Sequence, residues 1–176
     1  ATNTYGTAYG NEYSFTTSVP VIGVNYQGGV VAYILQAGDP GYQAGQTHGL
    51  IAAPTDQSTG AEWGCYGFTI SGADGTALGT GNQNTIDIVT NCTTAGIAAK
   101  LCYNLVLGGY DDWYLPSSEE LNKLYLNRSS IGGFSTTQYW SSTENSSNTG
   151  KSLSFNNGGQ SNQNKSGSNY VRAVRS

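Results

Sequence analysis

Apolar positions in this chain come in short bursts, strand-like first, then at helical spacing, then strand-like again. The first burst, Gly28-Gly29-Val30-Val31-Ala32-Tyr33-Ile34-Leu35, is apolar, rich in β-formers and opened by glycines, which predicts a strand buried on both faces. Asp39-Pro40-Gly41 predicts a turn behind it. His48-Gly49-Leu50-Ile51-Ala52-Ala53 predicts a second short strand stopped by Pro54. Residues 55–81 are rich in Gly, Ser, Thr and Asp without periodicity, so a long irregular region is expected, anchored by Trp63, Cys65, Tyr66 and Phe68. Such regions in compact domains are usually tied down or functional. Upstream, residues 1–27 read as an extended lead-in or edge strand, and residues 28–176 as one domain.

Helical spacing follows. Asn84 or Thr85 is expected to cap a short helix over Ile86, Ile88 and Val89, and Thr93 or Thr94 to cap one running to about Leu105. In the second, Ala98, Leu101, Cys102 and Leu105 share a face, and Gly108-Gly109 is the expected stop. Pro116-Ser117-Ser118-Glu119-Glu120 carries a capping box for a third helix with Leu121, Leu124 and Tyr125 as its buried stripe, closed by Gly132-Gly133. From Tyr139 the pattern is β again, with strands over Tyr139 to Glu144, Lys151 to Phe155 and Asn169 to Arg175. In the last, Val171, Ala173 and Arg175 face one way and Tyr170, Arg172 and Val174 the other. Strands, then helices, then strands predict an α+β domain with an antiparallel sheet, two or three helices and long loops.

Composition sharpens the picture. Only 10% of the 176 residues are charged, against about 25% in an average soluble protein, so Asn, Ser, Thr, Gln and Gly supply the polarity. A net charge of −4 argues against a nucleic-acid partner, which needs clustered Lys and Arg. No stretch is long and apolar enough to insert in a membrane. The chain starts at Ala1 without a leader and is read as a mature or excised form. Of three cysteines, Cys102 is expected as a buried free thiol, and Cys65 with Cys92 as the better disulfide pair if the compartment is oxidising; the alternative is three reduced thiols.

Gly109-Tyr110-Asp111-Asp112-Trp113-Tyr114-Leu115-Pro116-Ser117, followed by Glu119-Glu120-Leu121, resembles the W-x-L-P-[ST]-x-x-E-L signature of the Lcl C-terminal domain family, the C-terminal domains of bacterial collagen-like adhesins and their relatives. Tyr139-Trp140-Ser141-Ser142-Thr143-Glu144 and Tyr170-Val171-Arg172-Ala173-Val174-Arg175 match two further blocks of that family, and the likeness runs from about residue 28. The resemblance implies a C-type-lectin-like fold close to the formylglycine-generating-enzyme branch. In such domains both termini meet in one sheet, and the segment before the last strand is displayed as a binding face.

Some variable proteins of diversity-generating retroelements belong to the same family, and there template adenines are miscopied into the segment before the final strand. An Asn codon with two leading adenines then becomes Ser, Thr or Gly in one or two changes. Residues 145–169 are dominated by those four residue types, whereas Gln160, Gln163, Lys151 and Lys165 lie outside that reach and would be fixed. The alternative is an ordinary low-complexity polar surface. The candidate ligand-binding residues are Asn145, Asn148, Thr149, Ser152, Ser154, Asn156, Asn157, Gly159, Ser161, Asn162, Asn164, Ser166 and Gly167.

Catalytic and metal chemistry is hard to assemble. His48 is the one histidine and reads as structural. The cysteine chemistry of the formylglycine-generating relatives is not carried over, because none of the three cysteines looks free and accessible. Asp111-Asp112 lacks the sugar-binding calcium motifs of true C-type lectins, Glu119-Glu120 is explained by the helix start, and no EF-hand loop is present. Gly79-Thr80-Gly81 lacks the rest of a dinucleotide motif. Trp113, Tyr139 and Trp140 read as core in preference to a sugar platform. The expectation is therefore a non-enzymatic adhesin or receptor domain without cofactor or metal, extracellular or on the cell surface. Its partner would be a protein or glycan on another cell, phage or host surface. The alternative is a structural or oligomerisation module at the end of a fibrous surface protein.

Overall fold

A computed structural model describes residues 20–176; the reading made of residues 1–19 lies outside them. The chain folds as an α+β domain of two sheets. Strands β1 (Asn25–Tyr26), β2 (Gly29–Ile34), β3 (Gly49–Ala52) and β9 (Val174–Arg175) form an antiparallel sheet in the order β1-β2-β3-β9. Strands β4 (Ser58–Ala61), β5 (Gln138–Glu144), β6 (Thr149–Ser154), β7 (Gln160–Asn164) and β8 (Asn169–Val171) form the second, in the order β4-β8-β5-β6-β7. All its pairings are antiparallel except β5 with β8, which meet in parallel at Tyr139 and Tyr170.

Two core clusters form, and consecutive residues of β5 point into different ones, as the two-residue strand period requires. Trp140 joins Trp63, Trp113, Ile88, Ile97 and Cys102, while Tyr139 joins Leu153, Phe155, Leu121, Leu124 and Val174. The aromatic trio Trp113, Tyr139 and Trp140 is thus fully buried core, with the Trp140 indole donating to the Ala61 carbonyl at 2.8 Å.

Four helices lie between the two β regions: α1 (Gly81–Asn91), α2 (Ala98–Tyr103), α3 (Ser118–Leu126) and α4 (Arg128–Ile131). The capping box forms as predicted. The Ser117 hydroxyl accepts from the Glu120 amide, and the Glu120 carboxylate accepts from the Ser117 amide at 2.7 Å. That carboxylate also accepts from Gly79 at 2.8 Å, and burial raises its pKa despite these donors. Leu121 and Leu124 are buried and Tyr125 half-buried; Gly132 ends α4 at φ 76°.

Three expectations are corrected. Helix α1 begins at Gly81 after Thr80, so neither Asn84 nor Thr85 caps it. Both side chains are spent on tertiary bonds instead. Asn84 donates to the Gly75 carbonyl at 2.7 Å, and Thr85 accepts from the Leu115 amide at 3.0 Å. Helix α2 begins at Ala98 without a Thr93 or Thr94 cap, because the Glu62 carbonyl takes its first amide at 2.9 Å; it ends at Tyr103, and Gly108-Gly109 instead turns the chain between Leu107 and Tyr110. The last strand is split. The predicted alternation survives, with Val171 and Ala173 in one cluster and Tyr170 and Val174 against the other, but β8 and β9 belong to different sheets.

The break lies at Arg172, which is fully buried. Its guanidinium donates to Asp56 at 2.7 Å, to the Ala53 carbonyl at 3.0 Å and to the Gly133 carbonyl, and stacks on Phe134. Three residues on, Arg175 grips Asp112 through two bonds of 2.6 and 2.8 Å. That pair holds the Asp112 carboxyl below its ordinary value, chiefly through the hydrogen bond from Arg175. A lowered folded value stabilises the protein above the unfolded carboxyl pKa of about 3.9 and loses that contribution as pH falls through the folded value. Asp112→Asn is therefore expected to have a lower urea midpoint than wild type at pH 7. The difference should shrink as the pH of the titration is taken below about 4.

Candidate functional site

The polar C-terminal segment forms a ladder on the outer part of the second sheet. Thr149, Gly150, Lys151, Ser152 and Leu153 of β6 pair with Asn164, Gln163, Asn162, Ser161 and Gln160 of β7. Cross-strand partners share a face, so Thr149, Lys151, Asn162 and Asn164 lie on one face and Ser152 and Ser161 on the other. Among the described residues β7 is one of the sheet's two edge strands, β4 being the other.

Asn145, Asn148, Asn156, Asn157, Gly159, Asn162, Asn164 and Ser166 are exposed, and Thr149, Ser154, Ser161 and Gly167 are half-buried. Ser152 is not part of the surface. It is buried under the β6–β7 pairing, where its hydroxyl meets Ser161 Oγ at 3.0 Å and donates to Gln138 at 3.2 Å. Nor do the candidates form one patch. The turns at 145–148 and 165–168 flank the same end of the ladder, whereas Asn156, Asn157 and Gly159 turn the chain at the other. At about 3.3 Å per residue the six residues of β6 separate the two ends by roughly 17–20 Å.

The end built from 145–148 and 165–168 is the more organised. Asn145 Nδ2 donates to Thr149 Oγ1 at 3.0 Å, and Ser146 and Thr149 hydroxyls meet at 2.8 Å. Asn164 Oδ1 accepts from the Ser166 amide at 2.9 Å and hydroxyl at 2.7 Å, and the Lys165 amide donates to the Asn148 carbonyl at 3.0 Å.

Lys165 holds this end to the core. Its ammonium is fully buried, pairs with the Glu144 carboxylate, donates to the Phe68 carbonyl at 2.8 Å and lies 4.4 Å from the Trp63 ring centroid. Glu144 in turn accepts from the Ile70 amide at 2.9 Å. The Lys165 carbonyl takes the amides of Trp63 and Gly64 at 3.0 and 3.1 Å. Gly150 must lack a side chain, since a Cβ there would come within 2.6 Å of the Trp63 ring.

These bonds bring a segment that the sequence did not join to the site. The predicted irregular region holds the short strand β4 and is stapled by the Cys65–Cys92 disulfide, as the sequence suggested, with Cα atoms 5.8 Å apart. Trp63 anchors it, but Tyr66 and Phe68 do not: they are 50% and 70% exposed. The Gly67 amide between them donates to the Ser147 carbonyl at 2.9 Å, beside Asn148. Only the neighbouring Cys65 hinted that this stretch would be pinned.

Elsewhere, a recess lies against the first sheet, between Tyr33, Leu35, His48 and Leu50, and does not touch residues 145–167. His48 there is exposed and bonds Gln46 at 3.0 Å. No group of three or more His, Cys, Asp or Glu side chains among the described residues could hold a metal, and no helix among them is long and apolar enough to cross a membrane. Cys102 is buried, and burial pushes its thiol well above the usual range.

The Trp113 to Leu121 block therefore supplies core and capping box, the Tyr139 to Glu144 block supplies β5, and the terminal block supplies the crossing between sheets. The model of the family described as Lcl C-terminal domain matches residues 53–175. This chain belongs to the Lcl C-terminal domain family. The match makes it an adhesin-related C-terminal domain, and the disulfide is consistent with an extracellular location. No curated protein matches this family member.

Removing the ammonium under the site strands a buried carboxylate, which typically costs about 3–5 kcal/mol. Lys165→Met is expected to lose roughly that much in guanidinium unfolding, and Lys165→Met with Glu144→Gln to recover part of it, the signature of coupled partners.

Proposed function

We propose that this Lcl C-terminal domain is a non-catalytic, secreted or surface-displayed binding module with a C-type-lectin-like arrangement, and that it engages its ligand through the β6–β7 ladder and its flanking turns. The observation that carries the reading is a division of labour within residues 145–169. Lys165, Leu153 and Phe155, which the core needs, are buried, and of the other side chains outside the reach of Asn-codon change Lys151 and Gln163 are half-buried and Gln160 is exposed. The short polar side chains at Asn145, Asn148, Asn156, Asn157, Asn162, Asn164 and Ser166 are exposed. Asn145, Asn157, Asn164 and Ser166 use their side chains only for bonds within their own turns, so this surface can vary without unfolding the core beneath it.

The arrangement of the ends supports the C-type-lectin-like part. Strands β1, β2 and β9 lie in one sheet, and the displayed segment immediately precedes β8 and β9. The same division supports a retroelement-diversified surface. Such a protein would have a near-copy of codons 140–175 in the flanking DNA, differing at adenines and next to a reverse transcriptase gene. Sequencing the locus tests this, and a locus without such a copy leaves a fixed adhesin surface.

Ligand capture is tested on the protein itself. Beads bearing the domain should retain target cells or their surface extract. The combined variant Asn148→Ala, Asn156→Ala, Asn162→Ala and Asn164→Ala should lose most of that retention with little change in Tm. Undiminished retention by the combined variant would move the binding site off the ladder.

A further inference from the structure

The exposed side chains of the ladder lack one ingredient of strong recognition. Adaptable binding surfaces combine Ser, Gly and Asn with aromatic anchors, and the exposed candidates of 145–167 hold no aromatic residue. The fold supplies two from elsewhere in the chain. Tyr66 and Phe68 lie on a short loop held at several points: Cys65 by its disulfide, Gly67 by Ser147, the Phe68 carbonyl by Lys165, and Ile70 by Glu144. Such a loop keeps the backbone that carries them in place, so little backbone ordering entropy is lost when a ligand arrives. Cys65 itself sits at φ 50°, a left-handed conformation that persists when surrounding bonds over-determine it.

We propose that Tyr66 and Phe68 are the aromatic part of the binding site and stack against the apolar face of a neutral sugar ring, while Asn145, Asn148 and Ser166 at the adjoining turns hydrogen-bond its hydroxyls. This deepens the reading of the ladder as the ligand surface and rests on it. The ligand class follows from charge and shape. A pyranose has an apolar face that aromatic rings cover and a rim of hydroxyls that suits amide and hydroxyl side chains, each able both to donate and to accept.

An anionic polysaccharide would find little here. The two cations of this segment are Lys151, which is half-buried, and Lys165, whose ammonium is already committed to Glu144 and the Phe68 carbonyl. The ladder and its turns offer a cationic ligand no better partner, because residues 145–167 hold no acidic residue and the adjoining Glu144 is buried. Neutral, hydroxyl-rich ligands meet neither objection.

The test is an NMR titration of the whole chain with maltopentaose, cellopentaose, chitopentaose and mannopentaose, with heparin as the anionic comparison. Wild type is expected to bind at least one of the neutral sugars, with shifts at residues 65–68 and 145–148. Tyr66→Ala and Phe68→Ala should each weaken that binding about tenfold or more, the usual loss when an aromatic anchor is truncated. Phe68→Tyr should keep it, because the stacking face remains. Unchanged far-ultraviolet circular dichroism and Tm in the alanine variants would show that the loss is not unfolding.

Failure to bind any of the four sugars overturns the proposal, as does binding of heparin alone or sugar binding that the two alanine variants leave intact. Self-association seen by sedimentation and abolished by Phe68→Ala would also overturn it, by making the aromatics a contact between copies. The ladder reading fails separately. If the fourfold Asn variant retains cells as wild type does, the ladder is not the ligand surface. If that variant loses retention while Tyr66→Ala and Phe68→Ala do not, the ladder stands and the aromatic assignment falls.

Discussion

The architecture depends on one crossing point, where the last seven residues leave one sheet and enter the other. A strand that changes sheets must abandon its ladder for a residue or two, and the exposed backbone groups there need partners. Arg172 meets that need. Its guanidinium, an always-charged donor fork, satisfies the carbonyls of Ala53 and Gly133 while Asp56 balances its charge. Backbone bonds continue the repair on both sides, with Gln57 donating to Val171 and Ala53 to the Ala173 carbonyl, each at 2.9 Å. A buried cation without such partners costs several kcal/mol, so the crossing, Asp56 and the 133 turn hold together as one unit. The polar ladder is joined to that unit through β5, which pairs with both β8 and β6.

Lys165 does the same work at smaller scale. It lies amid Asn, Ser and Gly, where a long cationic side chain would be expected to reach solvent, yet it runs inward to Glu144 and across the Trp63 ring. One inward residue thereby joins three separate stretches: the 63–70 loop, the end of β5 and the turn before β8. The outward side chains around it bond only to one another within their own turns, which leaves the surface's chemistry loosely coupled to the core.

Much of the architecture was legible from pattern. The order of strands and helices, the Ser117–Glu120 capping box, the inward stripe of Leu121 and Leu124, the buried Cys102 and the Cys65–Cys92 pair all follow from local spacing and residue type. What was not legible depends on partners distant in sequence. Gln160–Asn164 has no apolar alternation and becomes a strand because β6 offers it a ladder. Arg172 looks like an outward residue until the turn at 133 closes on it. Asn84 and Thr85 look like caps, but tertiary partners at Gly75 and Leu115 outbid a local role. Of the candidate site, the asparagines of 145–164 lie at the surface. Ser152 was not legible as buried, because the adjacent Leu153 marks the opposite face of β6 as the inward one, and the Ser152 face is covered as well. Tyr66 and Phe68 were read as anchors because aromatic residues usually are; their exposure follows from Trp63 and Lys165 having taken the space beneath the loop.

The buried Cys102 gives the protein an internal clock. With Cys65 and Cys92 joined, it is the chain's remaining thiol, and it lies on the buried face of helix α2 with no solvent exposure and a suppressed tendency to ionise. A thiol reagent added to the native protein has nothing to modify until α2 lifts from the core. The rate of labelling therefore counts openings of that part of the molecule, and it does so in the wild-type chain, with no added probe to disturb what is being timed.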